Sequence, residues 1–481
     1  MMRNRWLERL LDSVADRGRE LLGLKNAESG APDVKSLCDA LLSGRGEASN
    51  IALSREILRA YQAMDAGQRL AFFELLHTEY RPDPERIRAA AQAFFDSDSV
   101  DDYLTLYDAV EPPRQELLRR LNMAPQATGQ LVAMRGELLA FLRDHPELKD
   151  VDADFKHLLY SWFNRGFLQI RRIDWQSPAE ILEKLISYEA VHAIQGWDDL
   201  RRRLAEDRRC FAFFHPGMPD EPLIFVEVAL VRGMSETVAP LLALDAPVLP
   251  LREADTAMFY SINNTQAGLR GVSFGNFLIK QVLAELRAEL PGLERFATIS
   301  PMPRFASTIR AAAAGERSGL TRAHVEQLLE DWAEPLLEAA RAARSGSGID
   351  SAADALLALV DDQGGVPHAE VLAQPLTRLA LAYLTLPRER GGLVDPVAAF
   401  HLANGARLER IDPFADASRD RLTASFGVMV NYLYEPEEVE ANHERFTATG
   451  EVAMSKALAR QYRQLRERLP RATEGRGAVE A

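Results

Sequence analysis

MFYSINNTQAGLRGVSFGNFLIK, running from Met258 to Lys280, places a β-rich run directly before a glycine-bearing turn that opens into a helix. Backbone N–H groups at the start of a helix have no intrahelical partners, and the helix dipole adds partial positive charge to them. A turn of this kind is therefore a phosphate cradle suited to a pyrophosphate. The cradle comprises Arg270, Gly271, Val272, Ser273, Phe274, Gly275 and Asn276, with the two glycines admitting the ligand where a Cβ would intrude. Its spacing is neither that of a Walker loop nor that of the Rossmann glycine fingerprint.

Around this stretch the chain has two textures. From Ile51 to about Asn164 the pattern is helical. Leu131, Met134, Leu138 and Phe141 recur at three- and four-residue steps, as do Tyr103, Leu106, Tyr107 and Val110, and each set is expected to mark a buried helix face. Asp101 is placed to cap the helix of the second set, and the Pro112-Pro113 pair to break the pattern and restart it. Antiparallel helices with short connections make a bundle, which serves either self-association or bracing of the remainder.

Beyond Trp175, segments Phe211–Phe214, Leu223–Leu230, Met258–Ile262 and Phe296–Ser300 read as strands, with more sheet expected near Ala399–Leu402 and Phe426–Tyr434. Between the third and fourth lies an amphipathic helix with Leu278, Val282, Leu286 and Leu290 on one face, so this part is a β-α-β unit. Ligands of α/β proteins bind at such switch points. Leu320–Asp362 reads as helical, interrupted by a loop at Ser345-Gly-Ser-Gly348, and the polar end after Leu469 as frayed.

At 481 residues the chain is long enough for two or three domains, and 47% hydrophobic residues support sizeable cores. The net charge of -14 argues against sequence-independent nucleic-acid binding, while a local nest of N–H groups can still hold an anionic small molecule. No apolar run approaches the ~18 residues of a membrane span. Cys38 and Cys210 lie far apart without metal-like spacing, so a reducing compartment and no zinc site are expected. The N-terminus is amphipathic and carries arginines, but Glu8, Asp12 and Asp16 are atypical of a transit peptide and there is no secretory h-region. The end, GAVEA, is not a peroxisomal tripeptide. A cytoplasmic protein is the expectation.

The loop at Arg270-Gly-Val-Ser-Phe-Gly275 resembles the R/Q-x-x-G-x-G/A loop of the GNAT acetyltransferase superfamily, with Ser273 in place of the middle glycine. Read together with FFHPGMPDEPLIFVEVAL (Phe213–Leu230), FATISPMPRF (Phe296–Phe305), HLANGARLERIDPFADAS (His401–Ser418) and SFGVMVNYLYEP (Ser425–Pro436), it is similar to malonyl-CoA decarboxylase, from about Trp162 onward. The resemblance implies an α+β multidomain protein. Residues 1–161 would form an all-α helical bundle and residues 162–481 a GNAT-like α/β catalytic domain, in which two splayed strands hold the acyl-CoA. It further implies conversion of malonyl-CoA to acetyl-CoA and CO2, with CoA as part of the substrate. The helical part adds the expectation of a homo-oligomer, dimer or tetramer, and the chemistry that of no cofactor or metal.

The same resemblance places a catalytic serine at Ser300, a catalytic histidine at His401, a substrate-site serine at Ser261 and a tyrosine at Tyr434. Some relatives carry glutamate where this chain has Ser273, so a role for that acid is not carried over. On the residues alone, His401 sits between an apolar run and an Asn-Gly turn, where a strand-end imidazole can point into a cleft or be a satisfied structural group. Ser300 precedes Pro301, which cannot continue a ladder, and its hydroxyl can face the gap between the strands or satisfy a local backbone group. His215 is read as structural, in a Pro/Gly turn.

The chemistry asks for little. Loss of CO2 from a malonyl thioester leaves an enolate that the thioester carbonyl already accommodates. The protein must hold the carboxylate perpendicular to the thioester plane, stabilise the oxyanion and deliver a proton to carbon. Imidazole supplies the proton, and a serine hydroxyl, which donates and accepts at once, relays it. An acyltransferase using the same cradle, and a non-catalytic acyl-CoA-binding regulator, are the alternatives. The presence of both Ser300 and His401 argues against the regulator.

Overall fold

The computed structural model describes residues 33–44, 46–272, 277–316, 319–343, 349–385 and 395–468. The loop expected at Ser345–Gly348 and the end after Leu469 lie outside the described residues. The chain divides into two compact units. One is built from the chain up to Gln169, together with Phe213–Ile224 and the stretch that begins at Asn264; the other holds the rest.

In the first unit the helices run Val34–Leu42, Glu47–Ala63, Ala66–Thr78, Pro84–Ser97, Val100–Val110, Pro113–Leu121, Ala127–Phe141 and Lys149–Trp162. Leu131, Met134 and Leu138 are buried in their common core, as their spacing predicts. The second set is not. Tyr103, Tyr107 and Val110 are 51%, 60% and 45% exposed, because helical period reveals that a face is apolar but not that anything packs against it. Their helix uses Ala109 for burial, and the ring of Tyr103 lies 6.0 Å from that of Phe94 on the preceding helix. The cap is also one position family away from the expectation: Ser99, not Asp101, accepts the N–H of Asp102 at 3.1 Å, leaving Asp101 in the first turn where its charge favours the dipole. Pro113 does open the next helix, at its first position.

The turn leading to the glycine loop is bolted to the Ala127–Phe141 helix. A Cβ on Gly268 would lie 1.7 Å from the carbonyl oxygen of Val132, so only glycine fits. Buried Arg135 donates to the carbonyl oxygens of Gly268 (2.6 Å) and Arg270 (2.9 Å), and its Nε donates to Asp152 at 2.8 Å.

The second unit is organised around an eight-stranded sheet. In chain order the strands are β1 (Gln169–Ile173), β2 (Arg208–Phe214), β3 (Ile224–Val231), β4 (Thr256–Asn264), β5 (Arg295–Thr298), β6 (Ser300–Pro301), β7 (Arg407–Asp412) and β8 (Met429–Leu433). The spatial order is β1-β2-β3-β4-β5-β8-β6, with β7 also on β8. β4 and β5 are parallel from Thr256↔Arg295 to Phe259↔Thr298, joined through the Phe277–Glu289 helix as the β-α-β reading requires. Leu278, Val282 and Leu286 are buried on that helix.

Past Thr298 the two strands part. Ile299 N–H still bonds to the Phe259 carbonyl at 3.0 Å, but Ser300 and Pro301 pair with Val430 and Met429, in line with the Ala297↔Leu433 pair. Ser300 therefore opens β6 rather than closing the strand before it. Pro301 is tolerated because β6 ends the strand order, where a missing N–H costs no ladder bond.

Strand alternation sorts the side chains. Met258, Tyr260, Ala297, Ile299, Met429 and Leu433 share one apolar cluster with Ala229 and Val238. The opposite face of the same strands carries Phe259, Ser261, Asn263, Thr298 and Ser300.

Candidate active site

His401 is not on a strand. The sheet expected near Ala399–Leu402 is the helix Pro396–Ala403, with His401 in its last turn. The sequence holds the reason: Asp395 accepts the N–H of Ala398 at 2.7 Å as N-cap, and Pro396 follows at the first helical position. Gly405 ends the segment with φ +85, where a Cβ would lie 2.0 Å from the Val439 carbonyl oxygen. Asp395 is itself fixed by the Tyr383 hydroxyl at 2.9 Å.

The helix brings His401 to the polar face of the sheet. Its Nε2 is 3.0 Å from Ser300 Oγ and its Nδ1 is 2.8 Å from Tyr434 Oη. Ser300 Oγ donates to Thr298 Oγ1 at 2.9 Å. The ring of Tyr432 stacks on the imidazole, 4.6 Å between centroids and 24° between planes. Three of the four residues assigned from sequence as serine, histidine and tyrosine site groups, Ser300, His401 and Tyr434, thus form one hydrogen-bonded chain.

The direction of that chain follows from accounting for protons. Burial holds the Tyr434 hydroxyl well above its ordinary pKa, so it keeps its proton. Were it to accept from Nδ1–H, that proton would have no other acceptor among the described residues, a penalty of about 1–3 kcal/mol in a buried place. Tyr434 therefore donates to Nδ1, Nε2 carries the imidazole proton and donates to Ser300, and Ser300 donates to Thr298. Burial alone pushes the His401 pKa down to about 3, so the ring is neutral at pH 7. It is a neutral N–H donor with its tautomer set by Tyr434.

Ser261 stands across the line where β4 and β5 part, on the same face as Ser300. Its hydroxyl donates to Glu189 Oε2 at 2.7 Å and accepts from Asn263 Nδ2 at 2.6 Å. In the glycine loop, Arg270 and Val272 have their N–H groups bonded to the carbonyls of Ala267 and Leu269 at 3.1 and 2.9 Å. Gly271 adopts φ +77, exposed, with Lys156 Nζ 3.6 Å from where its Cβ would be. Ser273, Phe274, Gly275 and Asn276 lie outside the described residues.

His215 is structural, as expected. Its ring lies 4.6 Å from that of Phe163, tilted by 39°, and it bonds to the Trp162 carbonyl and accepts the N–H of Gly217 at 3.0 Å. Thr298, Asn263 and Tyr432 escaped the sequence reading although each lies two residues from an assigned one, the strand period that would have found them. Glu189 left no such signal. Among the described residues there is no group of three or more His, Cys, Asp or Glu that could hold a metal ion, and no helix is long and apolar enough to cross a membrane.

Comparison with known proteins gives a consistent result. The family described as malonyl-CoA decarboxylase C-terminal domain matches residues 166–472, and that described as malonyl-CoA decarboxylase N-terminal domain matches residues 80–163. The mitochondrial malonyl-CoA decarboxylase of Anser anser anser is 34% identical over 424 residues, 84% of this chain and 82% of that protein. The mitochondrial enzyme of Rattus norvegicus is 33% identical, over 73% of this chain and 71% of its own length. The crystal structure of malonyl-CoA decarboxylase from Rhodopseudomonas palustris superposes with a TM-score of 0.78 at 45% identity, covering 89% of this chain and 98% of that one. That from Agrobacterium vitis gives 0.78 at 44%, over 89% and 99%. The helix-rich region followed by a mixed α/β domain with an open sheet is shared with these two structures. The cytoplasmic expectation is overturned, since the curated relatives are mitochondrial enzymes. Two isolated thiols speak to redox conditions and do not distinguish one reducing compartment from another.

Proposed function

The chain belongs to the malonyl-CoA decarboxylase family and is an enzyme with that activity, and from this premise we propose how its own side chains carry the reaction. Ser300 and His401 are the catalytic pair, with Tyr434 and Thr298 as its two ends. The observation that supports this is the one-way donor chain from Tyr434 through His401 and Ser300 to Thr298. After CO2 leaves, the Ser300 hydroxyl turns its proton to the enolate carbon and takes the Nε2 proton of His401 in return. As Nε2 gives up its proton, Tyr434 passes its own proton to Nδ1 along the 2.8 Å bond, so the ring stays neutral and solvent later restores the Tyr434 proton. Burial strengthens each of these interactions, because no water competes for them.

The loop from Arg270 to Asn276 holds the CoA phosphates in this reading. Arg270 supplies charge and Gly271 close backbone approach, but the Arg270 and Val272 N–H groups, expected to be free for the ligand, are spent on the Ala267 and Leu269 carbonyls of the preceding turn, so the phosphate-facing N–H groups are assigned to Ser273, Phe274, Gly275 and Asn276. Purified protein given malonyl-CoA and no acceptor should yield acetyl-CoA and CO2 in equal amounts, read by a coupled assay and CO2 trapping. Acyl transfer to an added amine with no CO2 released would replace decarboxylation by the acyltransferase alternative.

The helical part, residues 1–161, is proposed to brace the rest and to build a dimer or tetramer. Exposed Phe95, Val100, Tyr103, Leu104 and Tyr107 supply apolar surface on two successive helices. Tyr103→Glu with Tyr107→Glu should lower the oligomer mass in light scattering while the melting temperature of the monomer holds. An unchanged mass would take this face out of the assembly.

A further inference from the structure

We propose that Glu189 is a positioning residue of the substrate site: by holding the Ser261 proton it makes Ser261 an acceptor for an amide N–H of the thioester arm, and not a donor to the malonyl carboxylate. The proposal rests on the reading that Ser261 belongs to the substrate site.

Glu189 follows the Ala179–Tyr188 helix at its C-terminal end and is buried. Both of its oxygens are engaged. Oε1 accepts the backbone N–H groups of Val191 (2.7 Å) and His192 (2.8 Å), which turn back toward it. Oε2 accepts the Ser261 hydroxyl (2.7 Å) and Asn263 Nδ2 (2.8 Å). Asn263 is locked in turn: its Oδ1 accepts the N–H of Ala190 at 3.1 Å, which fixes the amide so that its NH2 faces Glu189 and Ser261.

The consequence for Ser261 is an inventory. A serine hydroxyl has one proton and two lone pairs. The proton is committed to a carboxylate, the stronger kind of hydrogen bond, and one lone pair accepts from Asn263 at 2.6 Å. What remains is one acceptor position. Turning the proton toward a ligand would set a serine lone pair against Glu189 Oε2, two acceptors facing each other in a buried place.

On the substrate the carboxylate and the thioester carbonyl only accept. The donors nearest the reacting end are the amide N–H groups of the arm that carries the thiol. These are the groups an acceptor-only Ser261 complements. The arm is common to malonyl-CoA, acetyl-CoA and CoA, so Ser261 contributes equally to all three, and selectivity for the malonyl carboxylate must come from other groups.

The test is steady-state kinetics on Ser261→Ala, Glu189→Gln and the double variant. The quantities are KM and kcat for malonyl-CoA and competitive inhibition constants for acetyl-CoA and CoA. One lost hydrogen bond should raise KM and both inhibition constants together by about 3- to 10-fold, with kcat/KM falling through KM. Glu189→Gln offers one carbonyl where two oxygens were used and turns an NH2 toward donors. It should reproduce the Ser261→Ala pattern, and the double variant should be no worse than Glu189→Gln alone, since the two act as a unit. If Glu189→Gln does not fold, Ser261→Ala decides, because it keeps the Glu189 bonds to Val191, His192 and Asn263. A rise confined to malonyl-CoA would keep Ser261 in the site and overturn its acceptor role. Constants unmoved in both variants would remove Ser261 from the site and the proposal with it.

Discussion

His401→Ala and Ser300→Ala should each slow the chemical step by roughly two to four orders of magnitude, the range associated with general acid–base groups. The expectation comes from the chain of hydrogen bonds that makes them one unit, 3.0 Å from Ser300 Oγ to Nε2 and 2.8 Å from Nδ1 to Tyr434 Oη. The double variant should then lose far less than the product of the single losses. Binding of acetyl-CoA should persist in all three, because the arm and phosphates are held by other residues in the proposed site. Each substitution also leaves a buried donor without its acceptor, the Tyr434 hydroxyl in His401→Ala and the His401 Nε2–H in Ser300→Ala, so thermal melts must accompany the kinetics. Near-normal turnover in folded His401→Ala protein would sink the Ser–His mechanism while leaving the family assignment in place.

The pH dependence sharpens this prediction. Burial depresses the His401 pKa to about 3, so the free enzyme should show a neutral imidazole with its proton on Nε2 through neutral and mildly acid pH. Nitrogen NMR of labelled protein, with His401→Ala identifying the signal, reads both the charge and the tautomer. An imidazolium at pH 6, or an Nδ1–H tautomer, would contradict the direction assigned to the Tyr434–His401–Ser300 chain. For stability the sign is that of a depressed base: the contribution is whole above the unfolded value near 6.5 and is lost as pH falls toward about 3.

The second large effect concerns Arg203. It donates to Asp199 at 2.9 and 3.3 Å, to Glu227 at 2.9 Å and to the His192 carbonyl at 2.7 Å, all buried. Removing one partner of such a cluster costs about 3–5 kcal/mol, because the remaining charges are left uncompensated. Arg203→Ala should lose that much in urea unfolding near pH 8. Glu227 sets the pH dependence. Burial raises its pKa to about 8 even though Arg203 pulls the other way. A raised carboxyl contributes stability that is whole below its unfolded value near 4.5 and is lost as pH climbs through about 8. Without Arg203 the carboxyl rises further, so the variant should lose less relative to the parent at pH 5.5 than at pH 8.5. An equal loss at both would show that Glu227 is not the group left uncompensated.

Some of this was written in the chain itself. The run of aromatic and β-branched residues from Met258 to Ile262 marks a strand, and the glycine turn and amphipathic helix after it make a β-α-β unit wherever they are placed. Local rules also held for Leu131, Met134 and Leu138, and for the helix opened at Pro113. Ser300, His401 and Tyr434 were legible only through resemblance, since no spacing along a chain says that residues 300, 401 and 434 meet.

Where local reading failed, the missing information was what lies opposite. Tyr103, Tyr107 and Val110 show the helical period of a buried face yet remain exposed, because period reports a stripe and not its partner. His401 was placed on a strand although Asp395-Pro396 is a helix start, an apolar run of that length being ambiguous until its ends are read. Ser300 depends on β8, more than a hundred residues further on, to draw it away from β4. The sequence by itself determined that a β-α-β unit forms and which helix stripes are apolar, since these follow from period and composition within a few residues. Only the tertiary structure decided which polar groups share protons. The His401 tautomer and the commitment of the Ser261 proton to Glu189 are set by Tyr434 and Glu189, brought near by folding and by no local rule.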